Sequence, residues 1–253
     1  MVENIFSGVI ANILVAILII IIGWIFYLLT ERRKLLRFFG ISETKRLVIY
    51  LSNLRIVSGG SIGIDNRPRS YAGKTVVYNE QSVASKFKEK FNYLVPSLSD
   101  SPSFLSKILF ADINVVSMPS PLNNSEVEAV SSIVTLGSPG YNVVSLMVES
   151  NRISAVRFAN DNREIQIANI PNITDEANGF IQRLVISNDN QQRSLFYVAG
   201  LSELGTTGAA NYLVNNWKTL RKKYRDNESF VIVLRFSTSN INNYTIDLER
   251  KIE

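Results

Sequence analysis

From Gly8 to Leu29 the chain reads GVIANILVAILIIIIGWIFYLL, 22 residues without a charge. No other stretch limits the fold as severely. As a helix rising 1.5 Å per residue it spans roughly 33 Å, enough for a hydrocarbon core of about 30 Å. A helix buried in a soluble core normally keeps a polar face, and only Asn12 is clearly polar here. A cleaved leader calls for a basic start, a shorter apolar run and a small-residue cleavage site. This N-terminus instead carries Glu3, and the apolar run ends in Trp24 and Tyr27, which suit a membrane–water interface. The expectation is one transmembrane helix within residues 1–30.

The flanks give it a direction. Arg32, Arg33, Lys34 and Arg37 follow the helix against the single acid Glu31, so the positive-inside rule predicts a cytoplasmic C-terminal part and an N-terminus outside. Residues 31–90 hold 13 Lys and Arg against 5 Asp and Glu, whereas residues 91–253 hold 14 against 16. The positive charge therefore belongs beside the bilayer, where attraction to anionic headgroups accounts for it. No basic motif interleaved with aromatics points to nucleic acid. Residues 31–46 read as a basic juxtamembrane segment and residues 47–253 as one cytosolic domain.

The chain has no cysteine and no histidine in 253 residues. Disulfides, Cys/His zinc sites and histidine-based triads are thereby excluded; neither a metal nor a cofactor is expected. Short β-branched runs recur at Leu47–Leu51, Ile113–Val116, Ile133–Leu136, Leu195–Val198 and Phe230–Leu234. They are continuous rather than alternating, as in strands covered on both faces. Helical spacing links Val83, Phe87, Phe91 and Leu94, and again Ala210, Leu213, Trp217 and Leu220. This alternation predicts an α/β domain with a mainly parallel, Rossmann-like sheet and helices on both faces. Two segments break it: Ile153–Phe158 and Glu164–Ala168 flank Asn160-Asp161-Asn162, and Phe180–Ser187 and the run from Arg193 flank residues 188–192. Both read as hairpins of an antiparallel extension.

Three strand ends run into flexible residues. The first leads to Gly59, Gly60 and a long loop with Arg67 and Arg69; another to Gly137-Ser138-Pro139-Gly140-Tyr141-Asn142; a third to Gly200, then Gly205-Thr206-Thr207. Ligands of open α/β sheets bind beyond the carboxyl ends of strands, where helix N-termini favour anions and glycine lets backbone approach a ligand. Arginine forks match phosphate oxygens, and Asn142 and Asn211 could read a base or ribose. Gly200 and Gly205 have P-loop spacing, but Thr206 stands where the phosphate-binding lysine belongs, so an ATPase or GTPase is rejected. Each loop taken alone is also explained by turn geometry or helix capping. Two carboxylates complete the candidates. Glu80 is expected to open a helix behind a strand-like Val76–Tyr78, and Glu203 to sit in a glycine-rich turn. Such a pair can run glycosidic chemistry, although an acid at a helix start is also favoured electrostatically.

A membrane anchor followed by such a domain resembles membrane effectors of prokaryotic antiviral signalling. The pair Gly137-Ser138-Pro139-x-x-Asn142 and Gly205-Thr206-x-x-Ala209-Ala210 is also similar to motifs in prokaryotic α/β domains. The resemblance implies sensing of a nucleotide-derived messenger and oligomerisation through the membrane; with a single span, any pore needs several chains. The leading expectation is a homo-oligomeric membrane sensor of a phosphate-bearing small molecule, with ligand held by Gly59, Gly60, Arg67, Arg69, Gly137, Ser138, Gly140, Asn142, Gly200, Gly205, Thr206 and Thr207. A bulky residue at 205 is expected to abolish binding and spare the fold. Asn12 and the small residues Gly8, Ala11, Ala16 and Gly23 are placed at helix–helix contacts, or are simply tolerated in lipid. The alternatives are a membrane-tethered nucleotide or nucleoside hydrolase or transferase using Glu203 or Glu80, and a non-catalytic scaffold.

Overall fold

The β-branched runs become neighbouring strands of one sheet. The computed structural model describes residues 2–53, 55–57, 60–62, 68–69, 73–93, 113–121, 123–127, 131–151, 154–188, 191–237 and 240–252, with backbone alone at 2–11, 42–43, 55–57, 60–62, 68–69, 73–77, 92–93, 188, 191 and 240. In chain order the elements are α1 (Val2–Phe38), α2 (Ile41–Thr44), β1 (Arg46–Leu51), β2 (Arg55–Val57), β3 (Gly60–Ile62), β4 (Pro68–Arg69), α3 (Gly73–Tyr93), β5 (Asn114–Pro119), a 3-10 turn (Asn124–Glu126) and β6 (Ser132–Leu136). There follow α4 (Val143–Ser150), β7 (Val156–Ala159), β8 (Glu164–Ile167), β9 (Asn178–Asn188), β10 (Gln191–Gly200), α5 (Glu203–Lys223), β11 (Ser229–Ser237) and β12 (Asn240–Ile252).

The seven-stranded sheet has the order β12-β11-β9-β10-β6-β1-β5. It is mixed rather than mainly parallel. β5, β1, β6 and β10 run parallel, while β9, β11 and β12 pair antiparallel onto β10's side. Both hairpins expected from the Asn/Asp-rich turns are present, β7–β8 and β9–β10. The first turns through Asn160, Asp161 and Asn162, all at positive φ, a conformation that Asn and Asp tolerate better than most residues.

Alternate residues of β1 face opposite cores. Leu47, Ile49 and Leu51 meet α1, α3 and α5 on one face; Val48 and Tyr50 meet α4 and the β7–β8 hairpin on the other. The continuous apolar runs are thus explained by cover on both faces. Two boundaries differ from expectation. Val76–Tyr78 lies within α3, so Glu80 falls in the middle of that helix, and Glu203 is the first residue of α5 rather than part of a turn. The loop expected after the first strand holds three short antiparallel strands, β2–β4.

α1 is one helix from the apolar segment into the domain, with no break at residue 30. It is long and apolar enough to cross a membrane, and Ile20 and Phe26 are 70% and 72% exposed. Its last turns are buried. Phe38 packs on Phe196, Trp217 and Phe230 at ring separations of 5.5, 6.5 and 6.5 Å, and the buried Arg183 guanidinium lies 5.1 Å above the Phe38 ring. Glu31 pairs with Lys34 at 2.7 Å and with Lys218 of α5 at 2.5 Å. The segment read as a juxtamembrane stretch is therefore in part the helix's anchor in the core. Aromatic burial outweighs its surface charge, since a buried Phe is worth several kcal/mol and an exposed ion pair about 1 or less.

Candidate functional site

The parallel strands change crossover direction between β1 and β6: the chain leaves β1 for β5 on one side and β6 for β10 on the other. At such a point the loops diverge and leave a crevice at the strands' carboxyl ends. Ser52 follows β1 and Gly137 follows β6. Gly137 has φ +100°, and a Cβ there would lie 2.3 Å from Ser52 Oγ and 3.1 Å from Glu80 Oε1. Glycine is required because these two polar side chains occupy the space.

Glu80 reaches the crevice from α3. Its Oε2 accepts from the Ser52 backbone N–H and its Oε1 from the Ser52 hydroxyl, both at 2.6 Å. Burial pushes its acid up to about 8, opposed by the Ser52 bonds and reinforced by the charge of Glu203. At neutral pH it is mainly a protonated, neutral acid. Glu203 comes from the first turn of α5; burial raises its acid as well, and its Oε1 is buried without a partner among the described residues. The hydroxyl of Thr207, one turn on, is likewise buried and unpaired. Asn211, a further turn on, accepts from Lys86 Nζ of α3 at 2.7 Å. Residues spaced by four share one helix face, so Glu203, Thr207 and Asn211 form a polar stripe turned toward α3.

The remaining sequence candidates divide by what holds them. Gly137, Ser138, Gly140 and Asn142 share one buried turn. Within it the Ser138 carbonyl accepts from the N–H groups of Tyr141 and Asn142 at 3.0 and 3.1 Å. Asn142 caps α4, accepting from Val144 and Ser145, while its amide donates to the carbonyls of Tyr50 and Leu136 at 3.2 and 2.8 Å. Its polar atoms tie the ends of β1 and β6 together, so its amide is already committed to the fold. Gly200 and Gly205 bring backbones into contact: a Cβ on Gly205 would stand 2.2 Å from the Asn178 carbonyl oxygen, and one on Gly200 2.5 Å from the Gly205 carbonyl carbon. Their P-loop-like spacing thus serves helix–sheet packing. The Thr206 hydroxyl donates to the Ser202 carbonyl at 3.1 Å, and Ser202 caps α5.

Gly59 and Arg67 lie outside the described residues; Gly60 lies in β3 and Arg69 in β4, described in backbone alone. Sequence reasoning missed Ser52, although its place directly after the LVIYL run was a signal. It also missed Glu149 of α4, on the opposite face, which accepts from the Tyr197 hydroxyl at 2.7 Å. Burial raises its acid to about 7 against the bonds from Tyr197 and Phe158. Among the described residues no cluster of His, Cys, Asp or Glu could hold a metal ion. No family model, curated protein or solved structure matches the chain.

Proposed function

We propose that this chain is a single-pass membrane protein whose C-terminal domain, on the cytoplasmic side, senses a small ligand in the crevice between β1 and β6 and alters the assembly of its membrane helices. The observation that carries the reading is the continuity of α1: the exposed apolar helix runs without interruption into the aromatic core, so a shift in that core moves the membrane segment. A ligand acts this way if it binds one arrangement more tightly than another. The parallel half of the sheet supports a Rossmann-like comparison, and with it a nucleotide-derived ligand. Its hydroxyl or amino groups would meet Glu80, Glu203 and Thr207, and its phosphate would fall to the Arg67 and Arg69 segment. The resemblance to antiviral effectors extends the proposal to a defence role through homo-oligomerisation.

The Glu80–Glu203 pair favours a second reading, hydrolysis or transfer at an N-glycosidic bond, with neutral Glu80 as acid and Glu203 as the charged partner. One experiment separates the two. The full chain in lipid nanodiscs is incubated with nicotinamide dinucleotide and with nucleotides, then assayed for thermal shift, for cross-linking between α1 helices and for products. Sensing predicts a stabilising shift and altered cross-linking with the ligand recovered intact. Catalysis predicts cleavage, lost in Glu203→Gln. With neither shift nor product from any probe, both readings fail for this ligand class.

A further inference from the structure

We infer that the seam between the last turns of α1 and the C-terminal turns of α5 is a docking surface for anionic phospholipid headgroups, holding the domain against the bilayer that α1 enters. The inference rests on the reading of α1 as a membrane span and adds to it a lipid contact made by the folded domain itself.

α5 meets α1 at the level of its interfacial aromatics. Trp24 and Tyr27 are 58% and 55% exposed, and such residues mark the membrane–water boundary. The Lys218 ammonium of α5 lies beside Tyr27 and pairs with the buried Glu31, with which Lys34 also pairs. Arg33 and Lys34 follow Tyr27 by roughly 9–11 Å along the helix axis, within about one Debye length of the headgroups. Arg33 and Arg37 are exposed four residues apart on α1, and Lys218 and Lys222 repeat that spacing on α5. Five cations thus gather around a single acid, Glu31.

Neighbouring charges are treated differently. Arg221 pairs with Asp226 at 3.2 Å, Lys251 with Glu228 at 2.7 Å, and Lys223 with Glu249. Those pairs are balanced, whereas the seam holds an excess of like charge that anionic phosphates relieve. Spread over two helices beside the span, these cations match a layer of headgroups rather than a single anion. α5 runs from this surface to Glu203 at the crevice, so one helix joins the lipid contact to the proposed ligand site.

The test uses the full chain in nanodiscs of phosphatidylcholine, alone or mixed with phosphatidylglycerol. The chain has no cysteine, so a fluorophore is placed on Thr219→Cys, an exposed position three residues before Lys222, and quenched by a nitroxide on the lipid headgroups. Quenching is expected to be stronger in the anionic discs and to fade as salt rises. Arg33→Gln combined with Lys222→Gln, both exposed and outside the ion pairs above, is expected to lower the docked-to-free ratio roughly fivefold for each charge removed. A fluorophore on Glu176→Cys, beside Ser202 at the crevice edge, should stay unquenched. If the discs retain the chain but quenching is equal in both lipids, or undiminished in the double variant, the headgroup assignment alone is overturned. If a high-salt wash strips the chain from the discs, the reading of α1 as a span falls and the inference falls with it.

Discussion

Gly40 stands at φ +70° between α1 and α2, and a Cβ there would come within 2.5 Å of the Ser194 nitrogen and 2.9 Å of Ser132 Oγ. Strain and collision act together, because a side chain resists the left-handed region and the backbone of β10 cannot move aside. Gly40→Ala should cost about 2 kcal/mol or more in chemical unfolding of the detergent-solubilised chain. Gly23→Ala, whose Cβ meets nothing within 4 Å, should be close to neutral. The same reasoning corrects the expectation for Gly205: a bulky residue there collides with the Asn178 carbonyl, so lost binding would report a damaged fold. Glu203→Gln and Thr207→Val probe the crevice more cleanly. Glu80 makes a further prediction at this scale. Its acid titrates near 8 when folded against about 4.5 when unfolded, so the folded chain holds the proton more tightly. The resulting stabilisation is complete below pH 4.5 and is lost as pH rises through 8. Glu149 acts in the same direction but only up to about 7. Between pH 7 and 8, wild type should therefore lose about 1 kcal/mol of stability through Glu80, and Glu80→Gln should remove that loss in denaturant titrations at the two pH values.

Among the elements, α1 carries the main mechanical consequence. Phe38 is fully buried among four aromatic rings, whereas Phe26 on the same helix is 72% exposed. Phe38→Ala should destabilise the domain by about 3–5 kcal/mol, while Phe26→Ala should leave domain unfolding unchanged. Equal effects would mean that the helix end is not part of the core. The sequence made some elements legible and hid others for identifiable reasons. LVIYL and FVIVL read as covered strands because their runs are unbroken by polar residues. The hairpin at Asn160–Asn162 was visible because few other residue types accept its backbone angles. The docking of α1 was hidden, since Arg32, Arg33, Lys34 and Arg37 share the last two turns with Leu35 and Phe38 and the charges suggested a solvated flank. Val76–Tyr78 looked like a strand because β-branched residues favour one locally, yet the segment belongs to a helix of 21 residues. The crevice was half legible: Glu203, Gly137 and Thr207 stood out in glycine-rich surroundings, and Glu80 as an acid at an expected helix start. That Gly200 and Gly205 pack backbone on backbone depends on contacts between α5 and β9, which no local pattern encodes.

For the molecule as a whole, the two ends of the parallel strands have separate roles. The α1–α2 junction sits at their amino ends, where the Gly40 carbonyl accepts from the hydroxyl of Ser132, the first residue of β6, at 2.7 Å. The crevice sits at their carboxyl ends, beside Ser52 and Gly137. Five residues of strand separate the two edges by roughly 17 Å, so a bilayer around the apolar part of α1 would lie at the edge opposite the crevice. α5 runs between the two edges on the α1 face, with Glu203 at the crevice and Lys218 against Glu31 of α1. Such an arrangement is useful to a sensor only if the domain faces the compartment that holds the ligand, which makes orientation the decisive property. The chain has no cysteine, so single-cysteine variants report it without background. Glu3→Cys should react with a membrane-impermeant maleimide on intact cells. Glu176→Cys, an exposed position at the carboxyl edge of the sheet, should react only after lysis. Labelling of Glu176→Cys on intact cells would reverse the orientation drawn from Arg32–Arg37 and would turn the crevice toward extracellular solutes instead of nucleotides.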